Sequence, residues 1–326
     1  MAKTIKYFLV FGGVFITTLV LFLFVFASLP ADTRNETEVR HILARDDKEF
    51  INDGKASLAL AKEWLFKNIR PEGIFVYAYN PSTDEESRKN NEIRQLLASR
   101  ILAAECAASR NKEICQKHRK NLEFIFKYWY KEGKYGGYIE YSERSKLGGN
   151  ATFLRVLVAS PYFDMYKKQA DALFRNIRYL QNEDGSFRAW YIEPSYTYYE
   201  DHLLTFYAGQ ALLALLEYYE KERNEDVLTA ARKSQDYYAR HYVDEMRTNY
   251  YPSLVPWQTQ SLARLYKING DKRYAQAAFV LYDKLLELQD RTDYIGRFYN
   301  PKTPQYGDPH SSSDGVNTEG LVYALD

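Results

Sequence analysis

The chain has 326 residues, 46% apolar and 27% charged, with 44 Lys and Arg against 43 Asp and Glu. A balance so near neutral leaves no electrostatic footprint for nucleic acid. Two cysteines are too few for a Cys-rich zinc centre, and neither a Gly-rich phosphate loop nor a nucleophile elbow occurs, so no metal and no cofactor are expected.

Residues 7–29 form an apolar run of the length that spans a bilayer, roughly 20 residues. Lys3 and Lys6 precede it, and Asp32, Glu36 and Glu38 follow. Positive flanks stay cytoplasmic, which puts the bulk of the chain outside. A cleaved signal peptide is the alternative, but its apolar core is usually only about 7–15 residues, which favours a retained anchor. Residues 1–30 are therefore read as a cytoplasmic tip and membrane anchor. Residues 31–54 read as a polar stalk with a short helix near 38–50, and 55–326 as one helical domain. Asn35-Glu-Thr and Asn150-Ala-Thr match the glycosylation acceptor pattern.

From residue 55 two kinds of helix alternate. One-faced helices are predicted at 55–69, 112–130, 163–180, 225–242 and 272–288; in the fourth, Val227, Ala230, Ala231, Ser234, Tyr238 and Tyr242 make the stripe. Helices apolar on every side are predicted at 91–109, 150–159, 202–220, 255–268 and from 318 to the end. The third of these, with an unbroken apolar run over 211–216, must be ringed by other helices. The one-faced helices start about 50 to 60 residues apart, which marks a repeat of inner and outer helices. The fold expected is all-α, an (α/α) toroid of helical hairpins. Its last inner helix is short, so the ring is expected to be incomplete at its C-terminus.

The links differ by side. Those ahead of the outer helices are short and polar (Arg110-Asn, Asn224-Glu, Asn269-Gly-Asp). Those after them are long and aromatic, with Gly or Asn near the start: 73–81, 136–141, 185–194, 249–252 and 296–301. Gly makes the turn and the aromatic run suits a short strand, so short β-hairpins should decorate one face. Cys106 and Cys115 flank one polar link; they are either a disulfide, as an oxidising compartment permits, or two buried thiols.

The inner helices begin at the long-loop face, where binding sites are commonly built. Asn91, Arg94, Gln95, Gln210, Trp257 and Gln258 are expected to bind substrate there; Gly148, Gly149, Asn150, Thr152, Gly209, Gln260 and Asn317 should share the mouth. Capping alone accounts for Asn150, Asp314 and Thr318. It does not account for Arg94, Gln95, Gln210, Trp257 and Gln258. Converging helix starts carry partial positive charge, and Arg94 adds a bidentate fork, which suits an anionic ligand. Tyr79, Tyr207, Glu319 and Asp314 are the leading candidates for proton transfer, with His310, His202, Glu200, Asp201 and Tyr199 behind them. The 30 tyrosines suit a sugar-stacking cleft as well as ordinary packing.

Four motifs carry a family resemblance: Asn-x-x-Arg-Gln at 91–95, Tyr-x-Gly-Gln-Ala-Leu-Leu-Ala-Leu at 207–215, Trp-x-x-x-x-Leu-x-x-Leu-Tyr at 257–266 and Thr-Glu-Gly-Leu at 318–321. Together they resemble the α/α-toroid superfamily, which includes six-hairpin glycosidases, polysaccharide lyases and the toroid domain of glucuronyl C5-epimerases. The resemblance covers residues 55–326 and implies a glycan or polysaccharide partner. Related sequences carry Glu where this chain has Gln210, which weighs against hydrolysis. The Asp-rich runs of terpene cyclases and the zinc ligands of lanthionine cyclases are missing. The expected function is a membrane-anchored extracytoplasmic protein acting on uronate-containing glycans by epimerase- or lyase-type proton transfer. A glycoside hydrolase using Glu319 and Asp314 and a non-catalytic glycan-binding scaffold are the alternatives.

Overall fold

A computed structural model describes residues 47–87, 89–194, 200–289, 296–308 and 310–325. The chain divides into a unit of residues 1–53 and 291–295 and a unit of residues 54–290 and 296–326. Of the first, only 47–53 are described; the site lies in the second. The apolar run at 7–29 and Asn35 fall outside the described residues. Among the described residues no helix is long and apolar enough to cross a membrane, so the expected transmembrane helix gains no support from the fold.

Inner and outer helices alternate as expected. Helix α1 (Asp47–Lys67) precedes α2 (Glu92–Ser109), α3 (Lys112–Tyr128), α4 (Leu147–Ala159), α5 (Lys167–Leu180), α6 (Glu200–Glu222) and α7 (Glu225–Ala239). A π-turn at Arg240–Asp244 and the short α8 (Met246–Asn249) lead to α9 (Val255–Asn269), α10 (Lys272–Leu286) and α11 (Ser311–Leu325). The inner helices pack in the order α2, α4, α6, α9, α11, and α3, α5, α7 and α10 each pack outside the inner helix just before them. Residues 207–219 of α6 are almost wholly buried, as an Ala/Leu run without a polar face requires. Buried side chains of both layers form one large hydrophobic core.

The two faces are built by two repeated devices. On the tight-turn face, Arg110, Arg223 and Gly270 adopt left-handed backbone and close the preceding helix, donating to Cys106, Tyr219 and Tyr266 carbonyls. The next residue, Asn111, Asn224 or Asp271, then caps the following helix with its side chain. Cys106 and Cys115 are disulfide-bonded across the first of these turns. On the opposite face, a Gly of positive φ presses against the next outer helix. A Cβ on Gly73 would lie 2.5 Å from the Lys120 carbonyl oxygen, and one on Gly185 would overlap the Lys233 carbonyl. Only glycine allows that turn and that approach together. Asn121 Nδ2 and Ser234 Oγ then donate to the Gly73 and Gly185 carbonyls at 2.7 and 2.6 Å.

This face carries the expected short strands. β1 (Tyr79–Asn80) pairs with β2 (Glu85–Glu86), β3 (Tyr130–Gly133) with β4 (Gly136–Ile139), and β5 (Ser145–Lys146) with β6 (Trp190–Ile192), all antiparallel.

Three boundaries differ from expectation. α1 is already helical at Asp47, not 55, through the end of the expected stalk. α11 begins at Ser311, not 318, because the His310 carbonyl accepts from the amides of Ser313 and Asp314. A run of serines that reads as a turn is its first turn, and the helix has 15 residues. α4 begins at Leu147, which buries Asn150 and Thr152 within the helix. Asn150 accepts from Ile139 N at 2.8 Å and donates to Asn176 Oδ1 at 2.7 Å. It is fully buried and cannot carry a glycan, so the second acceptor pattern is structural.

Away from the loop face, the inner helices are joined by a buried ionic cluster. Glu217 of α6 receives Arg155 of α4 in a two-pronged bond at 3.0 and 2.9 Å and Arg100 of α2 at 2.9 Å. Arg264 of α9 approaches it at 3.5 Å and pairs with Glu220 at 2.5 Å. Burial alone would raise the Glu217 pKa, but Arg155, Arg100 and Arg264 override it and hold the carboxyl at about 2.

Candidate functional site

The starts of four inner helices meet around one cavity of about 440 Å³, within the size range of small-ligand sites, roughly 300–1,000 Å³. α2 supplies Asn91, Arg94 and Leu97; α6 supplies His202, Phe206, Tyr207 and Gln210; α9 and its approach supply Tyr251, Ser253 and Trp257; α11 supplies Ser312, Val316 and Asn317. The link after α10 closes one side with Phe298, Tyr299, Asn300, Tyr306, Asp308 and His310. The wall is thus aromatic faces with scattered amides, hydroxyls and two imidazoles. The helix starts add partial positive charge.

Five of the ten expected site residues stand on this wall: Asn91, Arg94, Tyr207, Gln210 and Trp257. Asn91 also caps α2, accepting from Arg94 N at 3.0 Å. Arg94 Nη1 donates to Tyr77 Oη at 2.8 Å, and its guanidinium lies 5.6 Å from the Tyr77 ring centroid. That contact aims the side chain along the rim.

Two glycines make room for the rest. A Cβ on Gly148 would overlap the Tyr207 ring and come within 2.9 Å of Gln210 Oε1. A Cβ on Gly209 would overlap Trp257 Cβ and reach 3.0 Å from its backbone carbon. Gly148, Gly149, Asn150 and Thr152 do not line the cavity themselves; α4 stands behind the wall.

The other five lie off the wall, four of them held by a neighbour. Gln95 is buried and grips the backbone of Phe75, accepting from its N–H at 2.9 Å and donating to its carbonyl at 2.8 Å. Gln258 is buried and accepts from Gln235 Nε2 at 3.0 Å, and Gln235 Oε1 accepts from Ser261 at 2.6 Å. Tyr79 is exposed on β1, and its hydroxyl donates to Asp84 at 2.7 Å. Asp314 ties the loop link to α11, accepting from Arg297 Nε at 2.8 Å and Phe298 N at 3.0 Å. Glu319 is exposed on α11. Of the secondary candidates, Glu200 accepts from Ala189 N at 2.8 Å, Asp201 is exposed, and Tyr199 lies outside the described residues.

The electrostatics assign roles to what remains. Burial, and then the Glu92 carboxylate, raise the Tyr207 pKa well above the ordinary tyrosine value. Tyr207 therefore keeps its proton at neutral pH and has a hydroxyl that can donate a hydrogen bond. Glu92 is itself buried and paired with Lys146 at 2.9 Å. Gln210 Oε1 is buried with no donor reaching it among the described residues. His310 Nδ1 faces Ser312, at 2.7 Å from its hydroxyl and 3.3 Å from its amide. The amide can only donate, so Nδ1 is the acceptor and Nε2 carries the proton. Asp308 is the sole carboxylate among the described wall residues.

Sequence reasoning missed the weight of the link after α10 and of Tyr251. The available signal was the third Gly-x-Phe of the helical domain, at Gly296, followed by aromatic and amide residues.

No protein-family model matches the chain, and no curated protein sequence does. Solved structures do match. The cellobiose 2-epimerase of Spirochaeta thermophila superposes with a TM-score of 0.60 at 12% identity, over 88% of this chain and 83% of that one. A sugar epimerase from a ruminal bacterium gives 0.55 at 14% identity, over 81% and 83%. The GH76A α-1,6-mannanase of Salegentibacter sp. HEL1_6 gives 0.55 at 13%, over 80% and 83%. Identities this low speak for architecture alone. The chain shares the fold of these structures, an α/α toroid.

Proposed function

We propose that the protein is a carbohydrate-active enzyme that moves a proton on a sugar bound in the cavity, by epimerase- or lyase-type chemistry. The observation that carries this reading is the composition of the wall. Hydrolysis by paired acids needs two carboxyl groups facing the bond, roughly 5 to 10 Å apart. The described wall has one, Asp308, beside two imidazoles and a protonated tyrosine. Imidazoles are the side chains best suited to exchange protons near neutral pH.

In this reading His310 and His202 exchange the proton, Tyr207 donates a hydrogen bond to the oxygen that gains charge, and Trp257 and Tyr251 hold the ring face. Arg94, on the rim, makes carboxylated sugars the first substrates to test. The names of the similar structures, two sugar epimerases and a mannanase, support a sugar in this cavity. The Cys106–Cys115 disulfide and the apolar run at 7–29 support a membrane-anchored, extracytoplasmic setting.

The test is a product screen. Uronate and neutral oligosaccharides are incubated with the protein and followed by NMR for epimers, unsaturated ends and new reducing ends. Epimers or unsaturated ends, lost in His310→Ala, support the reading. New reducing ends alone, or turnover undiminished in His310→Ala and His202→Ala, overturn it.

A further inference from the structure

Outside the cavity, the loop face carries a second aromatic cluster drawn from three chain segments. The tip of the β3–β4 hairpin supplies Lys134 and Tyr135, and β4 supplies Tyr138. The last turn of α5 supplies Tyr179; the following link and β6 supply Arg188 and Tyr191. Tyr135 and Tyr179 stack with centroids 3.7 Å apart and planes 9° from parallel. Tyr179 meets Tyr191 at 6.0 Å and 85°, and Tyr191 meets Tyr138 at 4.8 Å and 49°. Lys134 Nζ lies 5.0 Å from the Tyr135 centroid and the Arg188 guanidinium 4.6 Å from that of Tyr179.

Packing does not account for this cluster. Tyr135 and Tyr179 are each 37% exposed, and with Tyr138 they stand outside the hydrophobic core. None of the six residues lines the cavity. The hairpin is shaped to carry them: a Cβ on Gly133 would come within 3.1 Å of Tyr191 Oη and 3.3 Å of the Tyr138 ring.

We propose that this rim cluster is a second binding site, for an extended acidic polysaccharide. A tyrosine offers an apolar ring to the C–H side of a sugar and a hydroxyl to its rim. Lys134 and Arg188 supply the charge that carboxylate groups along such a chain require, Arg188 with a planar fork. The ring planes turn from one tyrosine to the next, which suits a twisting saccharide chain. Single-stranded nucleic acid, by contrast, is held by successive flat bases stacked on ring faces along a basic groove. The proposal does not depend on the reaction assigned to the cavity.

The full chain is run by affinity electrophoresis through gels containing polygalacturonate or dextran. Retardation by polygalacturonate and not by dextran is expected, with affinity weakened about tenfold in Tyr135→Ala and again in Lys134→Ala/Arg188→Ala. In an Arg94→Ala background, which weakens the cavity for uronate, Tyr135→Ala and Lys134→Ala/Arg188→Ala are expected to lower retardation by the same factors as in the unaltered chain, which separates this site from the cavity. Tyr135→Phe is expected to keep most of the affinity, and melting curves identify any variant that fails to fold. Three outcomes overturn the proposal: no retardation by polygalacturonate, retardation indifferent to the rim substitutions, or complete displacement of the polysaccharide by an equal mass of single-stranded DNA.

Discussion

The two ends of the inner helices solve opposite problems. At their starts, four helices open around the cavity, and Gln210 Oε1 is left without a donor among the described residues. In their later turns, Arg100, Arg155, Glu217 and Arg264 are drawn together, and the buried carboxylate is saturated with cations. At the first end a ligand can meet the open atom. At the other, Arg100 Nε and Arg264 Nε also lack an acceptor among the described residues, but the charges themselves are paired, because a buried charge without a partner costs several kcal/mol. Stability should therefore reside in the second region and binding in the first, and substitutions should separate the two.

The largest effect is expected at the ionic cluster. Glu217→Ala leaves Arg155 buried without its carboxylate and should destabilise the fold by about 3–5 kcal/mol, measured by urea unfolding. The same group predicts an acid limb. Its folded pKa, about 2, lies below the ordinary value of 4.5, so its contribution is complete above pH 4.5 and fades as the pH falls towards 2. Glu217→Gln should flatten the stability profile over that window.

A second limb belongs to His118, also near the tight-turn face. It is fully buried against Ser160 at 2.8 Å, and burial lowers its pKa from 6.5 to about 4. The folded state thus resists a proton that the unfolded chain accepts. Stability should fall by up to about 3 kcal/mol as the pH drops from 6.5 to 4. His118→Gln should remove most of that slope, as read from melting temperatures across the range.

At the open end the effects on stability shrink and those on binding grow. Gly209→Ala forces α6 away from Trp257 and should cost about 1–3 kcal/mol, with loss of ligand-induced quenching of tryptophan fluorescence. Arg94→Ala should change stability by less than about 0.5 kcal/mol, since the residue is exposed. Its binding of uronate oligomers, measured by calorimetry, should weaken about tenfold or more, while neutral oligomers bind as before.

Much of this architecture was legible in the sequence because it rests on patterns with a single solution. An Ala/Leu run without a polar face, as in α6, has to be buried on all sides. The short polar links Arg110-Asn, Asn224-Glu and Asn269-Gly-Asp read as tight turns. What could not be read was direction. Arg94 and Gln95 are neighbours, yet one lines the cavity and the other grips Phe75. A helix apolar on every side carries no stripe to say which way its few polar residues point. The same blindness hid the ionic cluster, whose members look like isolated charges more than 40 residues apart. The start of α11 was misread because Ser-Ser-Ser-Asp serves a turn and a first helical turn equally well.

The most direct measurement of the central claim is solvent exchange at the bound sugar. Uronate and neutral oligosaccharides are incubated with the protein in D₂O, and deuterium is located in the recovered sugar by NMR. Epimerase-type chemistry should place deuterium at one ring carbon next to a carbonyl or carboxylate, lyase-type chemistry should leave an unsaturated end, and Tyr207→Phe and His310→Ala should each slow either change at least tenfold. Oligosaccharide that binds in the cavity and is cleaved with neither deuterium at carbon nor an unsaturated end would contradict the account.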